Sequence, residues 1–224
     1  MEFKKHDKKI GVVFGLKNEM NFFNIKRSNI FYNYGYGKSS KQVAVEFIKK
    51  KVDLVVNFGF AGSISKNLNN GDIVLVKKIY NPKKNKFNNE NITNQLLKRL
   101  KQYKHKQCNL LTVDKIISRR EEKIKISRKF DDVSVIDMEA FIIKKELSKK
   151  KIPMISVKVI FDDLSFDIPC FLKNCISEKG DLKKVSLLTQ ILLKPMRIKS
   201  LWKLNKKYYE CNKIFKTLIN SLLA

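Results

Sequence analysis

Histidine and cysteine are scarce in this sequence, and their scarcity removes whole classes of chemistry. Of the 224 residues only His6 and His105 are histidine, each in a lysine-rich polar stretch, so a histidine base or a His-based metal site has little to build on. The four cysteines, Cys108, Cys170, Cys175 and Cys211, are too few and too irregularly spaced for a disulfide scaffold or a zinc ligand set, and they read as free thiols. No metal and no cofactor is expected, and acid-base chemistry falls to carboxylates. Long apolar runs are missing too: none approaches the roughly 18 residues of a spanning helix. The charged opening, residues 2–9, leads into a short apolar run that Gly15 and Lys17 interrupt, which does not read as a secretory signal, so the expectation is a cytoplasmic protein.

Acidic residues are also in short supply, 21 against 48 lysines and arginines, for a formal charge of +27. Lysine clusters gain affinity for phosphate backbones by releasing counterions. Here the charge is spread along the whole chain among Asn, Ile and Phe, without one dense basic arm. It reads as a compositional bias over an ordinary fold, and no specific nucleic-acid partner is expected.

What is present is enough for a sizeable core: 43% of residues are apolar, in a length that suits one domain over residues 1–224. Seven of the eight glycines fall before residue 72, each beside an apolar run, where positive φ or close backbone approach is wanted. Strands are expected over residues 9–14, 30–34, 53–58, 73–77, 110–113, 134–136 and 154–161. Helices are expected to start near Glu19, after a cap at Ser39 or Ser40, near 93–103 within a polar loop, and over 137–149. Strands alternating with helices imply an α/β fold, a three-layer αβα sandwich around a mixed central sheet. From about residue 181 the chain reads as C-terminal helices packing on that domain. Leu201, Leu204, Tyr208, Cys211, Phe215, Leu218 and Leu222 fall at spacings of three and four, so they line one helical face, with lysines around the rest. Such a face docks on the domain or, as a basic amphipathic helix, rests on a membrane surface.

Two glycine segments bear on chemistry. Gly35-Tyr36-Gly37-Lys38-Ser39-Ser40 suggests a phosphate-binding P-loop, but Tyr32 stands where the first glycine of that motif belongs. Gly59-Phe60-Ala61-Gly62-Ser63 reads as a turn at a strand end that presents backbone donors beside a small side chain.

Five segments, "IGVVFGLKNEM", "YGYGKSS", "VVNFGFAGSISKNLNNGDIVLV", "VIDMEAFII" and "ISVKVIFDD", resemble the purine nucleoside phosphorylase and nucleosidase superfamily in order and spacing. That family includes methylthioadenosine/S-adenosylhomocysteine nucleosidase. "LLTVDKIIS" and the tail from Gly180-Asp181-Leu182 past Pro195 are similar to its hopanoid-associated phosphorylases, which act on adenosylhopane. The resemblance implies a phosphorylase/hydrolase-like fold and cleavage of the bond between a purine and its ribose. Water or phosphate would be the co-substrate.

By that resemblance Asp162 is the acid that protonates the leaving purine, Glu139 accepts hydrogen bonds from the ribose hydroxyls, and Glu19 orients the attacking water. Met138 and Asp137 flank the sugar, Ala61, Gly62 and Ser63 lie near the nucleophile, and Ile116, Ile117 and Phe161 border the base. The chemistry suits these types: an oxocarbenium-like transition state needs the base protonated, the hydroxyls held and a nucleophile placed. Asp163 is a second candidate for the acid. Relatives form dimers or larger assemblies, so a homo-oligomer is admitted. The chain departs from the pattern at Phe161, where many relatives have Ser, at Lys158, where Arg is common, and at Ile116, where nucleosidases stack a Phe on the base.

Overall fold

A computed structural model describes residues 8–21, 23, 25, 27–83, 85–88, 100–177 and 181–223. The strands are β1 (Ile10–Phe14), β2 (Ile30–Tyr34), β3 (Leu54–Ser63), β4 (Ile73–Tyr80), β5 (Lys86–Asn88), β6 (His105–Thr112), β7 (Val135–Asp137) and β8 (Met154–Asp162), of which β5 and the first residues of β6 fall in polar sequence for which a loop is expected. The helices are α1 (Lys17–Met20), α2 (Ser40–Lys49), α3 (Arg120–Lys129), α4 (Ala140–Ser148), α5 (Lys184–Leu193) and α6 (Arg197–Leu223).

All eight strands join one mixed sheet, ordered β2-β1-β3-β7-β6-β4-β5, with β8 paired to both β3 and β4. The β8 ladder runs parallel to β3 and antiparallel to β4. Consequently β3, β8, β4, β6 and β7 close into a ring, and among the described residues only β2 and β5 are left with one side of the strand unpaired.

Alternation along the strands feeds two apolar layers. Val12, Phe14, Val56, Phe58, Val157 and Val159 face Cys211, Phe215, Leu218 and Leu222 of α6. On the other side Val13, Val55 and Ile160 face Val43, Ala44 and Phe47 of α2 and Ala140, Ile143 and Leu147 of α4. The mixed sheet thus lies between helices, as expected for an αβα arrangement, and the lower half of the α6 stripe is core.

Four local expectations need correction. Residues 59–63 are not a turn after a strand but the last half of β3, bound on one side to β8 and on the other to β7, with a register shift at Ala61/Gly62. Neither Ser39 nor Ser40 caps α2: the Ser39 hydroxyl donates to the Tyr36 carbonyl (2.8 Å) and the Ser40 hydroxyl to that of Gly37 (2.6 Å), tightening the 3₁₀ turn that leads in. The second helix of the latter half begins at Ala140, because Asp137 still belongs to β7. Helix α3 was not foreseen, since Arg120–Lys129 carries little apolar periodicity. The helix expected near 93–103 falls mostly outside the described residues.

Candidate active site

The C-terminal ends of β3, β7 and β8 and the turn after β1 meet at a cavity of about 510 Å³, within the usual range for a small-molecule site. Its lining includes Glu19, Ala61, Gly62, Ile116, Ile117, Asp137, Met138, Glu139, Phe161 and Asp162, all expected from the sequence. Ser63 is the exception: it is fully buried, donates its hydroxyl to the Ser65 carbonyl (2.9 Å), accepts from the Ser65 N–H (3.1 Å), and is not among the lining residues.

Glu19 reaches the cavity because α1 is a single turn that folds back on the end of β1. Its carboxylate accepts hydrogen bonds from the N–H groups of Gly15 (2.9 Å), Leu16 (3.1 Å) and Phe60 (3.2 Å). Burial pushes its pKa up to about 6, against the pull of those donors and of the Lys158 charge. Glycine at 15 and 59 makes the space: a Cβ on Gly15 would lie 3.2 Å from Glu139 Oε1 and 3.4 Å from Glu19 Oε2, and one on Gly59 would lie 3.0 Å from Glu19 Oε2. The two glutamates therefore face each other across room that a side chain would fill.

Glu139 sits between β7 and α4, where it bonds the fully buried ammonium of Lys158 on β8 (2.6 Å) and accepts from the Met138 N–H (3.2 Å). Lys158 also touches Asp137 (2.9 Å) and Asn57 (3.2 Å). Burial opposes its charge, but the two carboxylates outweigh that and hold it above the usual lysine range. Burial raises Glu139 as well; Lys158 pulls it back and Asp137 adds to the rise. Asp137 in turn accepts from the Thr112 hydroxyl (2.7 Å) and the Ala140 N–H (3.1 Å), which locks the cluster to β6 and α4. Lys158 is thus the cation beneath the glutamate, and replacing it with an apolar residue would leave two buried acids facing each other unpaired.

Asp162 ends β8 against Gly62, where a Cβ would lie 3.0 Å from its Oδ1. Its Oδ2 pairs at 2.5 Å with Lys123, a fully buried lysine of α3 that also donates to the Asp163 carbonyl (3.0 Å). Burial lifts Asp162 to about 6 despite that neighbour. Asp163 points elsewhere: it accepts from the N–H groups of Asn70 (2.9 Å) and Ser165 (2.8 Å), its pKa is lowered, and it does not line the cavity. Glu19 is anchored at Phe60 and Asp162 at Gly62, two residues apart on one strand, a spacing of roughly 7 Å.

Sequence reasoning missed Lys123, which sits in the charged run Arg-Glu-Glu-Lys and carries no local sign of burial. It also missed the aromatic wall. Tyr208 meets Phe60 and Phe161 edge to face, the two phenylalanines are tilted by 38° to each other, ring centroids lie 5.7 to 6.3 Å apart, and both Phe60 and Tyr208 line the cavity. The outer lining is aliphatic: Ile168, Leu172, Leu182, Leu187, Leu201 and Leu204. Among the described residues no group of three His, Cys, Asp or Glu side chains is placed to hold a metal ion.

A sequence profile described as the Phosphorylase superfamily matches residues 25–170. The chain belongs to the phosphorylase superfamily. The matched span carries Gly62, Asp137, Glu139 and Asp162, while Glu19 precedes it and α5 and α6 follow it. No curated protein sequence matches this superfamily member. Solved structures share its fold at low identity. A Helicobacter pylori 5′-methylthioadenosine/S-adenosyl homocysteine nucleosidase, in complex with a pyrrolopyrimidinyl pyrrolidinol, is 17% identical with a TM-score of 0.64, over 95% of this chain and 98% of that one. A Colwellia psychrerythraea nucleosidase of the same description, in complex with adenine, is 18% identical with a TM-score of 0.58, covering 70% and 83%. A futalosine hydrolase mutant of Helicobacter pylori is 16% identical with a TM-score of 0.57, covering 68% and 89%.

Proposed function

We propose that this chain is a nucleosidase that cleaves the N-glycosidic bond of a 5′-substituted adenosine and releases adenine. The observation that carries the reading is the convergence of Glu19, Glu139 and Asp162, all buried, on one cavity that is polar at its floor and aliphatic at its mouth. The names of the solved neighbours, nucleosidases of methylthioadenosine and one bound to adenine, support the substrate class.

As the bond between the anomeric carbon and the purine breaks, its electron pair moves into the ring, and the Asp162 carboxyl delivers a proton to the imidazole nitrogen. Glu139 accepts hydrogen bonds from the ribose hydroxyls, which its two oxygens suit. Glu19 orients water and takes its proton as the new C–O bond forms. Both Asp162 and Glu19 sit near pKa 6, where one group can lose and the other gain a proton at little cost.

Water is favoured over phosphate as nucleophile because, among the described residues, the cavity lining includes no arginine or lysine to grip a phosphate, while Lys123 and Lys158 are committed to carboxylates. The aliphatic mouth favours a large apolar group on the 5′ carbon, as in an adenosylhopane-type substrate. Purified protein incubated with methylthioadenosine, adenosine and an adenosyl lipid, with and without phosphate, tests this. Adenine and the lipid-linked ribose, now carrying a hydroxyl on its anomeric carbon, are the expected products from the adenosyl lipid. Ribose 1-phosphate would make the enzyme a phosphorylase, and no cleavage of any nucleoside would make it a binding protein.

A further inference from the structure

Among the described residues, every large hydrophobic side chain that is exposed, apart from Tyr32, lies between Leu182 and Tyr209. Helix α5 contains Val185, Leu187, Leu188, Ile191, Leu192 and Leu193, yet none of its residues is buried. The connection to α6 adds Met196, 90% exposed, and the first turns of α6 add Trp202, 68% exposed. A helix so rich in aliphatic residues is normally covered, and soluble proteins seldom leave a contiguous patch of this kind open to water.

The charge of the same segment is one-sided. Lys183, Lys184, Lys194, Arg197, Lys199, Lys203, Lys206 and Lys207 fall between residues 182 and 209, and no Asp or Glu does. A second copy of the chain brought face to face across a two-fold axis would set like charge against like charge. A nucleic acid would satisfy the lysines but leave the aliphatic side chains without a partner. An anionic bilayer surface meets both: headgroups pair with the cations and the acyl boundary takes the leucines, while tryptophan favours that boundary. None of the described helices is long and apolar enough to cross a membrane, which leaves contact along the surface.

We infer that α5 and the first turns of α6 form a docking face for an anionic lipid surface. The face is not the one the heptad-like spacing of the tail suggested. Cys211, Phe215, Leu218 and Leu222 are buried in the core, and Leu201, Leu204 and Tyr208 turn into the cavity. Docking lays the cavity mouth against the lipid, because Leu182 just before α5, Leu187 on α5, and Leu201 and Leu204 on α6 belong to its wall. The inference stands on exposure and charge, independently of the reaction proposed above.

Trp202 is the only tryptophan of the chain, so intrinsic fluorescence reports this face alone. The full-length protein is mixed with vesicles of phosphatidylcholine, with or without about a third phosphatidylglycerol, and bound protein is separated by flotation. Expected are flotation and a blue shift of Trp202 with the anionic vesicles only, and quenching by brominated acyl chains. The triple variant Leu192→Gln/Leu193→Gln/Met196→Gln alters exposed residues outside the cavity wall, and it should bind at least tenfold more weakly with an unchanged circular dichroism spectrum. Absence of flotation overturns the inference, as does equal binding by the variant, which would reduce the contact to charge alone. A wild-type dimer that the variant converts to monomer overturns it in favour of a second copy as the covering surface.

Discussion

The floor and the roof of the cavity are built on opposite principles. The floor places three carboxylates where water is nearly excluded and steadies them with buried lysines, backbone donors and missing Cβ atoms, at the ends of strands paired on both sides. The roof is aliphatic, helical, and half open to solvent. Most of the floor falls within the span matched to the superfamily, and the roof after it. On the proposed function, the contrast assigns the reaction and the choice of substrate to separate stretches of this chain: the floor would select the bond that is broken, and the roof the group attached to the sugar.

Asp162→Asn breaks the floor most directly. It should lower adenine release by about 10² to 10⁴-fold in kcat, the range for a lost general acid, while the fold is retained; turnover at the wild-type rate would remove Asp162 from its role. Phe215→Ala tests the joint between floor and roof, since its ring lies 4.5 Å from that of Phe58 and 5.0 Å from that of Phe60. A loss of about 3–5 kcal/mol in denaturant unfolding is expected, as for large-to-small changes in cores.

The pH profile sharpens the comparison. Asp162 must carry a proton and Glu19 must not, so activity should rise as Glu19 deprotonates and fall as Asp162 deprotonates, giving a bell centred near pH 6. Lys123→Met removes the cation that pulls the Asp162 pKa down, so the alkaline limb should move to higher pH. A merely structural role for Lys123 would lower the whole curve without moving that limb. The smallest effect belongs to the roof: Leu204→Ala should lower kcat/KM for a nucleoside with a long apolar 5′ group by about tenfold and leave methylthioadenosine nearly unaffected, as loss of a few methyl groups in an apolar pocket implies.

Much of this molecule could be read before it was seen in three dimensions. Strands β1, β2 and β8 announced themselves because each is rich in Ile, Val, Phe or Tyr, and their limits moved by no more than a residue. Strand β3 ran five residues further than expected, because Gly59 and Gly62 were read as turn formers. They serve instead as clearances for Glu19 and Asp162 inside an extended strand. Glu19, Glu139 and Asp162 were legible through the motifs around them. Lys123 was not, because nothing local distinguishes a lysine that a helix carries into the interior from one it shows to water. Ser63 was misjudged because its neighbours Ala61 and Gly62 line the cavity, whereas its own hydroxyl is taken up by the backbone of Ser65. The tail's stripe was legible as a stripe, while its division between core, cavity and open face depends on long-range packing.

The closed circuit of β3, β8, β4, β6 and β7 carries a mechanical implication. A ladder that returns on itself has no seam along which it can part, so the carboxylate end of the pocket is held at fixed dimensions throughout turnover. Any traffic of bulky molecules in or out must be accommodated by α5 and the first turns of α6, where no residue is buried, so on the proposed function the tempo of arrival and departure follows those open turns and not the acid-lined floor.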